Sequence, residues 1–474
     1  MHWTYYLLVA SAIVGGSLFF IAPPTGVSVA GWHTLGLLIP VVMIWGTGAL
    51  PVGVASALFL ALVVAFHLVG PDVAFKGFTN QLPWLIAGAL AIGVASEKTG
   101  LSKRTAYFLL SHLRGLWGLV FGGYAANLLM MGCPSVAGRG GVLAPILRSV
   151  VKSIGDDRQS NVSRFLTFNF CNATSTFLSN LILTGGVANT LMLAFYSSLT
   201  GHTLTWSQWV VVMAVPTLIL CVFQFVGALI FAPPERELMA KLRDSRAARD
   251  AYAALGPMTF DEWKVAAMFV LAIGLWVFGA QLKLDAGFAA LIVMGLLFLP
   301  KIGVLNAADE RAITWDLVLL IGAAVGVGGI LDQTGMIKAI SGALVAPVLN
   351  PLAAYGLVGI AIGCILVGLF AHFILPSPAN VTLAFPLLIS WGLNTLHLPN
   401  AQVLAFLGLL SVAGNQVIMM AYQMPPYYVF LGMDVTNIPK FNALLIKIYP
   451  FAAIGMFLGA FAAYALLNAT GWGI

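Results

Sequence analysis

An all-α polytopic membrane protein is what this sequence predicts, and three observations predict it. Hydrophobic residues make up 60% of the 474 positions and charged residues only 8%. A soluble chain carries about 25% charged residues, so a water-facing surface cannot be assembled from this composition. Several apolar stretches also reach the roughly 20 residues that a helix needs to cross a bilayer. Finally, the polar residues concentrate in one long segment, Pro233 to Lys264, which divides the chain almost in half.

The elements follow in order. The opening "MHWTYYLLVASAIVGGSLFFIAPP" lacks a basic leader region and reads as a first transmembrane helix. Spans near 5–22, 33–48, 51–67 and 84–96 lead to the basic segment "EKTGLSKR". A second basic segment, "RSVVKSIGDDRQSNVSR", follows the polar interruption "CPSVAGRGG" (Cys133 to Gly141). With both basic segments cytoplasmic, residues 116–148 enter and leave by one face, as a re-entrant hairpin with CPSVAG at its tip. Span 163–200 crosses outward, and 207–231 returns to the linker, whose six Lys and Arg residues place it in the cytoplasm. The spacing within 233–264 suits an amphipathic surface helix.

The second half, 265–474, repeats the plan from the opposite face, with a hairpin at 356–392 and a second interrupted span at 403–433. "WLIAGALAIGVASEKTG" (Trp84 to Gly100) resembles "WDLVLLIGAAVGVGGILDQTG" (Trp315 to Gly335). Each precedes a polar interruption with a proline ten residues past its start, Pro145 after Ser135 and Pro386 after Pro376. Two halves entering from opposite faces make an inverted repeat. The count is about 11 transmembrane helices plus two re-entrant hairpins, with the N-terminus inside and the C-terminus outside.

The +6 net charge is too sparse to signal nucleic-acid binding and instead sets topology. Cys133, Cys171, Cys221 and Cys364 lie in apolar surroundings without paired spacing, and the seven histidines show no i, i+4 pair, so no metal site is expected. Four interruptions carry the chemistry: CPSVAGRGG, "LTGGVAN" (Leu183 to Asn189), "PSPANVT" (Pro376 to Thr382) and "AYQMPPYY" (Ala421 to Tyr428). The first and third are hairpin tips, and the second and fourth break long apolar spans into half-helices. Unwound backbone at membrane depth belongs where it is buried in protein or lines a wet cavity. Half-helix N-termini attract anions, and free carbonyls can hold Na⁺.

The polar inventory of these segments includes Ser135, Arg139, Thr184, Asn189, Ser377, Asn380, Thr382, Asn415, Tyr422 and Gln423, with no carboxylate. A proton-driven carrier places Asp or Glu in its path, which argues against a cation/proton antiporter. An arsenite-type efflux protein is the other alternative of the same architecture. An enzyme is not expected, because no His/Asp/Glu cluster sits at one depth. A set of hydroxyls, amides, helix N-termini and one Arg suits an anion. Arg139 has two open roles: pairing with that anion through its planar fork, or a structural one, capping hairpin carbonyls or snorkelling to the cytoplasmic surface.

These motifs resemble the divalent anion/sodium symporter family, carriers of citrate, C4-dicarboxylates and sulfate. Pro134-Ser135-Val136-Ala137-Gly138-Arg139 is similar to the Pro-Ser-Asn-Thr-Ala-Arg tip of the family's exchanger branch. Val136 and Ala137 stand where that tip has Asn and Thr, and the second tip reads Pro376-Ser377-Pro378. "LTGGVANTL" resembles the branch's Leu-Thr-Gly-x-x-x-Asn-x-Leu, and "MPPYYVFLG" its Pro-x-x-Val-Tyr-Phe-Gly.

The resemblance implies a homodimer in the bacterial inner membrane, each protomer holding a scaffold and a transport domain that moves as an elevator. It implies a substrate site at Ser135, Val136, Ala137, Gly138, Arg139, Thr184, Gly185, Asn189, Ser377, Pro378, Ala379, Asn380, Thr382, Tyr422, Gln423 and Pro425. Were Na⁺ the coupling ion, it would sit at Ser135, Gly185, Ser377 and Asn415. The partners implied are a small anion and the lipid bilayer, and no cofactor is implied.

Overall fold

The computed structural model describes residues 2–24, 27–47, 49–131, 135–156, 159–244, 246–374, 377–394 and 424–469, together with 403, 404, 406 and 408. Among these residues the regular structure is helical, with no strand. Large apolar side chains such as Phe121, Val222, Ile230 and Val270 point outward and stay exposed, as a lipid-facing surface requires. Four helical stretches are long and apolar enough to cross a membrane by length and composition: Trp206–Phe231, Trp315–Gln333, Met336–Ala353 and Ile438–Ala469.

The first half opens with α1 (His2–Ser17), α2 (Val29–Thr47) and α3 (Val52–Ala65), then α4 (Gln81–Thr99). Asn80 caps α4 by accepting from Leu82 N, and Gly100 ends it with φ at +85°, a left-handed conformation that glycine adopts without steric cost. The chain turns there into an arm, α5 (Leu101–His112), and then into the helix pair α6 (Gly115–Leu129) and α7 (Val136–Ser153). The interrupted span that follows comprises α8 (Asn161–Asn172), a π segment Ala173–Phe177, one turn Leu178–Leu181, a 3-10 turn Leu183–Gly185 and α9 (Val187–Thr200).

α10 (Trp206–Phe231) leads to the polar linker, which folds as two short helices, Arg236–Asp244 and Ala247–Ala253, rather than the single amphipathic helix its spacing suggests. α11 (Phe260–Val277), α12 (Ala286–Phe298) and α13 (Trp315–Gln333) follow. Past α13, Gly335 is left-handed at +70°, matching Gly100. A second arm (Met336–Ala353) then leads into α14 (Gly356–Ile374) and α15 (Ser377–Asn394). The chain closes with α16 (Pro425–Gly432) and the 32-residue α17 (Ile438–Ala469).

Two cores form. One gathers α2, α3, α4, α12 and α13 with α9 and α15, and the other gathers the arm α5, the α6/α7 pair, α8 and α16. α10 and α17 pack along each other and feed both. Cys171, Cys221 and Cys364 are buried and unbridged.

Candidate functional site

The first tip becomes a helix start. Ser135 takes an extended conformation, and its Oγ accepts from Gly138 N at 3.0 Å, an N-cap of the type worth about 1 kcal/mol. Four residues on, Arg139 is 1% exposed. Its Nη2 donates to Thr174 O at 2.9 Å, Ser179 Oγ at 3.1 Å and Gly185 O at 2.8 Å. The carbonyls it caps belong to the interrupted span rather than to the hairpin itself.

That span breaks where "LTGGVAN" predicts. After the π segment the chain straightens at Ile182, makes the 3-10 turn, straightens again at Gly186 and re-enters a helix at Val187. A β-carbon on Gly185 would stand 2.1 Å from Leu178 O, so only glycine permits this crossing of backbone on backbone. Unwinding leaves carbonyls without helical donors. Side chains take them up: Asn189 Nδ2 donates to Ser179 O and, at 2.8 Å, to Ile182 O, while Trp209 Nε1 donates to Asn180 O at 3.1 Å. Thr184 Oγ1 donates to Met131 O at 3.3 Å, tying the break to the end of α6, and lies 3.5 Å from Trp206 Nε1.

The tip and the break of the first half therefore form one buried polar body in which Arg139 is the fixed cation. Asn172 Oδ1, Thr176 Oγ1 and Asn189 Oδ1 are buried there without a hydrogen-bond partner among the described residues. Such atoms mark a place where a polar guest or water belongs.

In the second half Ser377, Pro378, Ala379, Asn380 and Thr382 fall in the first turns of α15. Asn380 is fully buried and its Nδ2 donates to Gly368 O on α14 at 3.4 Å. Pro425 opens α16. Asn415, Tyr422 and Gln423 lie outside the described residues.

The sequence of the whole chain meets one family profile, described as "Sodium:sulfate symporter transmembrane region", over residues 1–465. The chain belongs to this family. Among similar proteins is the spinach (Spinacia oleracea) "Dicarboxylate transporter 1, chloroplastic", 29% identical over 340 residues, 70% of this chain and 59% of that protein. This chain thus spans about three fifths of that relative's length. The "Citrate/succinate antiporter" of Escherichia coli (strain K12) is 24% identical over 429 residues, 84% of this chain and 85% of that protein. In fold, the chain is similar to the crystal structure of the Alcanivorax borkumensis YdaH transporter. The TM-score is 0.51 at 15% identity, covering 87% of this chain and 89% of that one.

Sequence reasoning missed some of the polar neighbours of the first tip. It treated the tips as free of carboxylates, but Glu97, at the end of α4, brings Oε1 to 2.9 Å from where a β-carbon on Gly138 would sit. A helix end remote in sequence can be adjacent in space, and span-by-span reading does not show it. The recurrence of an acidic residue three positions before a left-handed glycine, Glu97 before Gly100 and Asp332 before Gly335, was the available signal. Ser179 and Thr174 were also passed over, although the polar run "NATSTFLSN" inside an apolar span was visible.

Proposed function

We propose that this transporter exchanges di- or tricarboxylate anions across the membrane without requiring sodium. The observation that carries the reading is Arg139, a buried permanent cation held by the carbonyls of the broken helix. Gly185 is a position where a coupling Na⁺ was expected, and its carbonyl oxygen already accepts from Arg139 and, at 3.2 Å, from Ser179 Oγ. Ser135 Oγ likewise accepts from Gly138 N. A Na⁺ at Gly185 would stand a few Å from a fixed positive charge, and at low dielectric that repulsion is large. Gly185 and Ser135 therefore do not fit the ion. The names of the spinach and E. coli relatives, a dicarboxylate transporter and a citrate/succinate antiporter, favour the same substrate class.

In this reading the substrate lies between the two tips, with Ser135, Gly138 and Arg139 facing Ser377, Ala379 and Asn380. Thr184 to Asn189 and Tyr422 to Pro426 close the site. The N-terminus of α7 and Arg139 supply positive potential, so a dianion needs no further countercharge. Residues 1–232 and 265–474 act as inverted halves with re-entrant hairpins at 116–148 and 356–392. The hairpins and broken helices then move as an elevator against the remaining helices of a homodimer, and the linker 233–264 stays cytoplasmic.

The test is uptake of labelled succinate into proteoliposomes preloaded with unlabelled succinate, in sodium-free buffer. Uptake that disappears when the interior is empty is the expected result. Uptake that appears only with a sodium gradient would sink the reading. Sodium-coupled sulfate transport is the second reading, favoured by the family description and by the open acceptors Asn172 Oδ1, Thr176 Oγ1 and Asn189 Oδ1.

A further inference from the structure

Where the arm α5 meets the helix pair α6 and α7, the linker closes over a cavity. Ser111, Arg114, Leu119, Val150, Leu242 and Arg249 contribute to its lining, and no Asp or Glu does. The linker is fixed there by its apolar residues. Leu242 and Ala248 are buried, and the helix Ala247–Ala253 packs against both α5 and α7. Other cations close by have acceptors of their own. Arg104 Nε lies 2.7 Å from Glu262 Oε1, and its other nitrogens donate to the carbonyls of Leu255, Gly256 and Pro257. Lys241 Nζ lies 2.9 Å from Glu237 Oε1. Arg114 and Arg249 are exposed and make no hydrogen bond or ion pair among the described residues. Two like charges on one cavity repel each other, and a shared anion reverses the sign of that interaction. An apolar face adjoins the pair of charges. Trp117 and Phe121, three and seven residues past Arg114, are exposed on α6, and Phe225 lies 6.1 and 6.4 Å from their rings.

We propose that this cavity receives the headgroup of one anionic phospholipid, its phosphate shared by Arg114 and Arg249 and its acyl chains lying along Trp117 and Phe121. Planar guanidinium forks suit phosphate oxygens, and charge assistance strengthens each hydrogen bond. A free anion would answer the two charges and leave the aromatic face uncovered, whereas a lipid answers both. Tryptophan favours the membrane–water boundary, which is where a headgroup meets its chains. Basic pockets between membrane helices on the cytoplasmic side hold anionic headgroups, and that side is taken from the reading of the linker given above. One bound lipid then joins two parts of the chain that are far apart in sequence, the start of α6 and the linker helix.

The experiment reads quenching of tryptophan fluorescence in the full chain, reconstituted into phosphatidylcholine vesicles that carry acyl-brominated phosphatidylglycerol or acyl-brominated phosphatidylcholine. Wild type is expected to prefer phosphatidylglycerol by about fivefold or more, and the double variant Arg114→Gln, Arg249→Gln to fall within about twofold of parity. Trp117→Phe should lose the selective part of the quenching. Arg311→Gln, which removes an exposed arginine that does not line the cavity, should keep the preference. A wild type without preference overturns the proposal, as does selective quenching that survives Trp117→Phe. An equal loss in Arg311→Gln would mean that charge acts diffusely, and would also overturn it. A preference abolished by millimolar inorganic phosphate would give the cavity to a free anion instead of a lipid. Because quenching is read without transport, failure of the exchange reading leaves this result standing.

Discussion

The two tips stand in one register and solve the same problem differently. Counting from Ser135 and Pro376, whose helices both carry a proline ten residues on, Arg139 falls where Asn380 falls. Both side chains are buried and both donate to backbone carbonyls. Asn380 reaches Gly368 O on its own hairpin partner, whereas Arg139 leaves its hairpin and joins Thr174 O and Gly185 O in the next span. A neutral amide serves local packing, while a long cation binds tip to break and leaves a net positive charge in the buried body. The difference teaches that matching topology does not give the two halves matching electrostatics. Of the two tips, the first alone carries a cation at this register position.

Making the first tip like the second is the strongest way to break that comparison. Arg139→Asn removes hydrogen bonds from a charged donor, each worth about 1.5–3 kcal/mol, and strands buried carbonyls at Thr174 and Gly185. Exchange is expected to fall about 100-fold or more, measured by counterflow. Arg139→Lys should recover part of it, because an ammonium supplies the charge without the planar fork. A fall of less than about threefold in Arg139→Asn would mean that the charge is structural ornament, and the two tips would be functionally alike.

The architecture around these tips was largely legible in the sequence, for physical reasons that can be named. Gly100 and Gly335 end long apolar runs and sit left-handed at the arm turns. "LTGGVAN" breaks a helix because a β-carbon at Gly185 cannot be accommodated. Ser135 caps a helix start, as a hydroxyl just before a glycine-rich turn can. What the sequence withheld is which polar groups meet. Arg139 and Gly185 are 46 positions apart, and Glu97 and Gly138 are 41 apart, so neither pair shares a helical face. Such contacts depend on how helices cross, which no periodicity encodes.

Neighbouring glycines sharpen the comparison inside the break. Gly185→Ala places a methyl 2.1 Å from Leu178 O, backbone that can give way only by moving the whole turn. At Gly186 the closest contact of an added methyl is 3.3 Å, to the Ser179 side chain. Gly185→Ala should therefore lower exchange about tenfold or more and lower the thermal midpoint. Gly186→Ala should change each much less, with differential scanning fluorimetry as the readout beside counterflow. Equal effects would mean that the turn is soft, and that Arg139 alone sets its shape.

The smallest expected effect separates capping from binding at Ser135. Its Oγ accepts from Gly138 N at 3.0 Å, so Ser135→Ala loses about 0.5–2 kcal/mol of helix start whatever else the hydroxyl does. If Ser135 also meets the substrate, apparent affinity for succinate should weaken several-fold beyond what the stability loss explains. Ser135→Asp separates the two roles, because a carboxylate caps α7 as well as a hydroxyl does but repels an anion at the tip. The aspartate variant should fold like wild type and bind succinate worse than the alanine variant. An aspartate variant that matches wild type in affinity would confine Ser135 to capping and move the substrate further toward the second tip.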